Sequence, residues 1–191
     1  MKLLCYGDSN TYGYDPRGPI PGRYDAADRW CDLLAAGTGW SIFNGGENGR
    51  IVPEPSWGYT DLERMLRETS PVDVICIMLG TNDVLISSRR DISPIVNRME
   101  DLLDYLKFRW PKVKPIILAP PPFDIPELPD AAEKLEALIE SYRSLAENRE
   151  IDFINTHECE IPLAYDGAHF SQRGHHVFAA FIEEKLQDLL K

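Results

Sequence analysis

Short apolar runs alternate along the chain with longer stretches whose apolar residues recur every three or four positions. Five runs have strand length and strand-type composition: residues 3–6, 41–44, 72–79, 113–119 and 151–154. Five amphipathic stretches alternate with them, at residues 28–36, 57–68, 92–109, 131–148 and 172–190. Strand then helix, repeated five times, predicts an α/β chain with a five-stranded parallel sheet between two layers of helices, a three-layer α/β/α sandwich. The run Val74-Ile75-Cys76-Ile77-Met78-Leu79 is apolar at every position, as a strand covered on both faces requires. Asp130, with Glu133 three residues on, predicts a capped helix start. Ser171 predicts another, and Trp110-Pro111 predicts where the long third helix stops. The proline-rich stretches 17–23, 52–55 and 120–129 read as ordered surface loops. No repeat or linker interrupts the pattern, so residues 1–191 read as a single domain large enough for a two-sided core.

Charge narrows the partners. The net charge of −11, with no Lys/Arg-rich block, repels phosphate backbones and argues against nucleic acid as a ligand. The four cysteines, Cys5, Cys31, Cys76 and Cys159, form no C-x-x-C pair. Cys5 and Cys76 sit inside strand-like runs, where a thiol acts as a small hydrophobe. Only one Lys and a few apolar residues precede Gly7, too little for a signal peptide, and no apolar run approaches a membrane span. A cytoplasmic protein that does not enter membranes is the expectation. Composition neither requires nor excludes a homo-oligomer.

The chemistry-bearing residues follow the strands. After the first come Gly7-Asp8-Ser9, and after the second Asn44-Gly45-Gly46-Glu47-Asn48-Gly49-Arg50. The third is followed by Gly80-Thr81-Asn82-Asp83, and the fifth, further on, by Asp166-Gly167-Ala168-His169. In a parallel sheet these segments emerge at one edge, where open α/β sheets bind their ligands. Ser9 can serve as a nucleophile, His169 as its base, and Asp166 as the carboxylate that holds the imidazole. The Gly49 N–H, the Asn82 side-chain amide and the Ser9 N–H can stabilise an oxyanion. Each motif also has a plain reading: Gly-Asp-Ser makes an ordinary turn, Asp-x-x-His a helix cap, and Asn82-Asp83 a helix start. Gly45 and Gly46 compete with Gly49 for the oxyanion role. Asp8 and Asp83 read as turn organisers. His157, Glu158 and Cys159 lack the ligand count and spacing of a zinc site. Asn10, Tyr12, Arg50 and Phe170 are candidates for the substrate pocket, with Tyr14 and Trp57 as further aromatic walls. Trp30 reads as core.

These four blocks, in this order between residues 3 and 170, resemble those of the SGNH hydrolases, also called GDSL esterases. Ile77-Met78-Leu79-Gly80-Thr81-Asn82-Asp83, Pro120-Pro121-Pro122 and Asp166-Gly167-Ala168-His169-Phe170 are similar to the arylesterase and acyltransferase branch. The resemblance implies a flavodoxin-like sheet, no metal or other cofactor, a Ser9–His169–Asp166 triad and an oxyanion hole lined by Ser9, Gly49 and Asn82. Asn10 departs from the leucine usual after the serine. Gly49 stands five residues past Asn44, where the family's oxyanion glycine falls.

The expected activity is therefore hydrolysis of a small-molecule ester, short-acyl or aryl, through an acyl-enzyme that an alcohol can also intercept. Removal of acetyl groups from sugars, thioester cleavage and lysophospholipid cleavage are alternatives on the same triad. A two-metal phosphoesterase built on Asp8, Asn82 and the histidines, and a non-catalytic flavodoxin-like binding module, are the readings from other classes.

Overall fold

A computed structural model describes the chain except Pro19 and Pro21, and the backbone alone of Ser56 and Trp57. Five parallel strands form its sheet: β1 (Lys2–Gly7), β4 (Ser41–Gly46), β5 (Val74–Met78), β6 (Lys114–Leu118) and β7 (Asp152–Ile154). Their spatial order is β4-β1-β5-β6-β7. The chain leaves β1 in one direction to form β4, then returns past β1 to form β5. Strand order therefore reverses between β1 and β5, the crevice position where doubly wound sheets hold ligands. Two further strands, β2 (Tyr14–Asp15) and β3 (Gly22–Arg23), make a small antiparallel ribbon; residues 22–23 of the first proline-rich stretch belong to it.

Alternation along each strand builds two cores. Leu4 and Tyr6 of β1, Ile75 and Ile77 of β5 and Ile117 of β6 face α3 (Thr60–Thr69), α5 (Ser93–Arg109) and α6 (Pro129–Asn148). Leu3, Cys5, Val74, Cys76, Met78, Ile116 and Leu118 face the opposite way, onto α2 (Trp30–Thr38) and α7 (Gln172–Leu189). Period-two alternation with apolar residues in both phases is what covers a parallel sheet on both sides.

The helix ends follow local chemistry, with one exception. Ser171 Oγ accepts the Gly174 N–H at 3.0 Å and starts α7. Trp110 closes α5, next to Pro111. Asp130 does not cap α6: the helix begins a residue earlier, at Pro129, and Asp130 lies inside its first turn, paired with Arg90 at 3.2 Å. Proline suits a first helical position because its missing N–H is not needed there. Two short helices escape the sequence pattern, α1 (Ser9–Tyr12) and α4 (Thr81–Ile86), being too brief to show a period. The stretch 52–55 is not a plain surface loop, since Val52 and Pro53 are buried.

The position of α7 matters most for the site. Its N-terminal end docks on the start of α2, where the Trp30 and Phe178 rings meet edge-on at 5.2 Å and Phe170 stacks beside Phe178 at 5.0 Å. Gln172 and His176 both reach Asp28 at 3.0 Å. This contact carries the segment just before α7 to the end of β1.

Candidate active site

The chain turns sharply after β1. Asp8 is extended, caps α1 through the Asn10 N–H at 3.0 Å, and leaves Ser9 at the first helical position. Asp8 is buried, and that burial pushes its carboxyl up to about 7, against the pull of the Asn10 N–H and the Arg50 guanidinium.

The last block folds as a tight hairpin. Ala164 N–H reaches the His169 carbonyl at 2.7 Å and Gly167 N–H the Ala164 carbonyl at 3.1 Å. Gly167 has a φ of +68°, and a Cβ there would meet the Asp124 carbonyl oxygen at 1.9 Å, so the hairpin needs glycine at its tip. Asp166 Oδ1 accepts the N–H groups of Ala168 at 3.1 Å and His169 at 3.0 Å, which leaves Oδ2 for His169 Nδ1 at 2.7 Å. Burial pushes the Asp166 carboxyl up, but these hydrogen bonds outweigh it and hold the group below the usual carboxylate range. The other imidazole nitrogen, Nε2, lies 3.0 Å from Ser9 Oγ. Tyr14 packs its ring against the imidazole at 4.5 Å. Ser9, His169 and Asp166 are thus in one hydrogen-bonded line, an arrangement able to take a proton from a hydroxyl.

The loop after β4 approaches from the other side. Asn82 Nδ2 donates to the Arg50 carbonyl at 3.0 Å, and an amide nitrogen has a second hydrogen to offer. Gly49 has a φ of +75°, and a Cβ there would meet nothing within 4 Å. Among the described residues no group accepts the N–H of Gly49 or of Ser9. The Gly46 N–H, by contrast, is taken by Asn44 Oδ1 at 3.0 Å, so of Gly46 and Gly49 it is Gly49 that has an unengaged donor. A cavity of about 250 Å³ opens beside Gly49, with Tyr6, Ile51, Pro53 and the carboxylates of Glu47 and Asp61 in its wall.

Several pocket candidates turn out to be braces or core. Asn10 is 2% exposed, with its side chain bound to the backbone around His169. Phe170 is fully buried among the α2 and α7 side chains. The Tyr12 ring lies under the Arg23 guanidinium at 4.3 Å. Arg50 turns inward: its guanidinium donates to the carbonyls of Gly7 and Gly45, at the ends of β1 and β4, and pairs with Glu47 at 2.7 Å and Asp61 at 2.9 Å. Asn10, Arg50 and Phe170 are corrected for the same reason, that side chains beside a tightly turned backbone are claimed by its unpaired polar groups or by the core. The Trp57 side chain lies outside the described residues. Trp30 is core.

Asp83, a turn organiser by sequence, is also a brace, and its partner Arg98 carries no sequence signal. Asp83 Oδ2 accepts the Val52 N–H at 3.0 Å while its Oδ1 binds Arg98, whose Nε donates to the Val52 carbonyl at 3.1 Å. Consecutive residues Asn82 and Asp83 therefore hold the Gly49–Val52 segment. Of the metal candidates, Glu158 pairs with Lys185 at 2.7 Å and His157 Nε2 lies 3.2 Å from the Pro120 carbonyl. Among the described residues no group of three or more His, Cys, Asp or Glu is gathered as a metal site. Nor is any described helix long and apolar enough to cross a membrane.

The fold is the flavodoxin-like α/β fold of the SGNH hydrolase superfamily. The chain belongs to the GDSL-like lipase/acylhydrolase family, whose model matches residues 5–177, and it is a carboxylic ester hydrolase. A carbohydrate acetylesterase from Sinorhizobium meliloti, Est24, is 27% identical with a TM-score of 0.84, covering 98% of this chain and 99% of its own. An aryl esterase from M. smegmatis shares the fold at 24% identity and a TM-score of 0.86, with 98% and 99% covered. A lipase/acylhydrolase from Enterococcus faecalis shares it at 21% and 0.72, with 98% and 95% covered. A sequence search of curated proteins gives no match.

Proposed function

We propose that the protein is a serine carboxylesterase for small esters with short acyl or aryl groups, working through Ser9, His169 and Asp166. One observation carries this reading: Ser9 Oγ, His169 Nε2, His169 Nδ1 and Asp166 Oδ2 follow one another at 3.0 and 2.7 Å. Ser9 Oγ attacks the ester carbonyl as Nε2 takes its proton. The carbonyl oxygen becomes an oxyanion, met by the N–H groups of Ser9 and Gly49 and the free hydrogen of Asn82 Nδ2. Collapse breaks the bond to the alcohol, which leaves with the proton from Nε2, and the acyl group stays on Ser9. Water then gives its proton to the same nitrogen and attacks the acyl-enzyme, releasing the acid and restoring Ser9. An alcohol in place of water makes the step an acyl transfer.

A sugar acetate is the second reading on the same residues. The likeness to the S. meliloti acetylesterase favours it. The four buried thiols support a reducing, cytoplasmic setting. The test is a fluorophosphonate probe followed by peptide mapping. Modification of Ser9, with turnover of p-nitrophenyl acetate lost in Ser9→Ala, is expected; modification elsewhere, or turnover that survives Ser9→Ala, refutes the assignment.

A further inference from the structure

The residue after Ser9 has every polar group engaged. Asn10 N–H donates to Asp8 Oδ1 at 3.0 Å, and its carbonyl accepts from Trp30 Nε1 at 3.1 Å. Those bonds fix its backbone to the α1 cap and to a fully buried tryptophan. Its side chain spans to a segment far away in sequence. Nδ2 donates to the Ala168 carbonyl at 3.2 Å, and Oδ1 accepts the Phe170 N–H at 2.8 Å. These are the peptide groups on either side of His169. A side-chain amide carries the same C=O and N–H as a peptide unit, so Asn10 pairs with the backbone around His169 as a neighbouring strand would.

The two bonds of the triad differ in what maintains them. His169 and Asp166 are three residues apart within one hairpin, closed by its own backbone bonds. Ser9 and His169 belong to segments that meet only in the folded chain. Among the described residues, the hydrogen bonds joining residues 8–13 to residues 164–171 are the Ser9–His169 bond and the two made by Asn10. We infer that Asn10 is a positioning residue, whose side-chain amide holds the backbone on both sides of His169 where Nε2 meets the Ser9 hydroxyl. This rests on the triad reading above. A hydrocarbon side chain of similar size would leave the Ala168 carbonyl and the Phe170 N–H without partners, and only packing would then set the distance from imidazole to hydroxyl.

The test compares the full-length protein with Asn10→Ala and Asn10→Asp. Turnover of p-nitrophenyl acetate is expressed per site titrated by a fluorophosphonate, so that loss of folded protein does not count as loss of rate. In Asn10→Ala, kcat per titrated site should fall about 10- to 100-fold with KM within about 3-fold, the scale expected for misplaced reacting groups. The low-field proton resonance of His169 Nδ1–H should persist, because the Asp166 pair is local. Asn10→Asp keeps an acceptor for Phe170 N–H but, once ionised, sets an oxygen against the Ala168 carbonyl. Its activity relative to wild type should therefore rise as pH is lowered and the introduced carboxyl regains a donor. Wild-type kcat per titrated site in Asn10→Ala overturns the inference, whatever happens to Tm. Should that variant fail to fold, a ratio of Asn10→Asp to wild type that stays flat with pH overturns it. Turnover that survives Ser9→Ala points instead to failure of the underlying triad.

Discussion

Asp166→Asn exchanges one carboxylate oxygen for an NH2 group, and the local hydrogen bonds dictate which one. Oδ1 accepts two backbone N–H groups, from Ala168 and His169, so the asparagine carbonyl must stay there. The NH2 then occupies the place of Oδ2, 2.7 Å from His169 Nδ1. A donor facing Nδ1 forces that nitrogen to be an acceptor and moves the ring proton to Nε2. The resulting N–H points at Ser9 Oγ, 3.0 Å away, and cannot accept its proton. The charge that would stabilise the imidazolium is removed at the same time. A switch of this kind lowers kcat by roughly 10⁴-fold in a Ser-His-Asp enzyme. That is about 5 kcal/mol of barrier, at roughly 1.4 kcal/mol per tenfold. The fold should survive, because both backbone N–H groups keep their acceptor, whereas Asp166→Ala loses the hairpin ties as well. The assay is steady-state hydrolysis of p-nitrophenyl acetate at pH 8 beside a thermal melt. A kcat within tenfold of wild type, in a variant with unchanged Tm, would refute the reasoning.

On the proposed mechanism Asn82→Ala removes one oxyanion donor and should lower kcat by about 10²- to 10³-fold with little change in KM. A rise in KM with unchanged kcat would assign Asn82 to ground-state binding instead. Asp8 gives a pH-dependent stability. Its folded carboxyl is raised to about 7 from an ordinary 3.8, so its contribution is fully present below the ordinary value and is lost as pH rises through 7. Asp8→Asn, which keeps an acceptor for Asn10 N–H, should gain on wild type between pH 4 and 7 and level off above that, by on the order of 4 kcal/mol in all. Urea melts giving the same difference at pH 4.5 and pH 8 would contradict this. Phe178→Ala empties a fully buried site between Trp30 and Phe170 and should cost about 3–5 kcal/mol in denaturant unfolding. A cost under ~1 kcal/mol would mean that the α2–α7 contact is not what secures the hairpin bearing His169.

The layers and the blocks were readable from the linear chain because both depend on short stretches. Strand alternation has a period of two and helix amphipathicity one of 3.6, so residues within a single element announce which side they bury. Ser9, Asn82, Asp166 and His169 stood out as candidates because each block places its polar group at the end of an apolar run. Gly49 was a candidate by its distance from Asn44, whereas the engagement of the Gly46 N–H by Asn44 Oδ1 shows only in the fold. Asp130 misled because an Asp three residues before a Glu is a capping pattern only if the helix starts between them, and Pro129 already lies within it.

The roles of Asn10, Arg50 and Phe170 could not be read that way. Each is a polar or aromatic residue next to one of the four motif blocks, and sequence proximity suggests that it faces the substrate. Its actual partners are remote: Asn10 meets Ala168, Phe170 meets Phe178 within the α2–α7 packing, and Arg50 meets the carbonyls ending two different strands. Arg98 and Asp83, fifteen residues apart, lie on different helices, α5 and α4, and meet only in the folded chain. Local pattern specifies which face of an element is apolar and where the backbone must turn. Which carbonyl or N–H a buried side chain satisfies is decided by the register of the parallel strands and the docking of α7 on α2, since a hydrogen bond forms only between groups brought within about 3 Å, however far apart they lie along the chain.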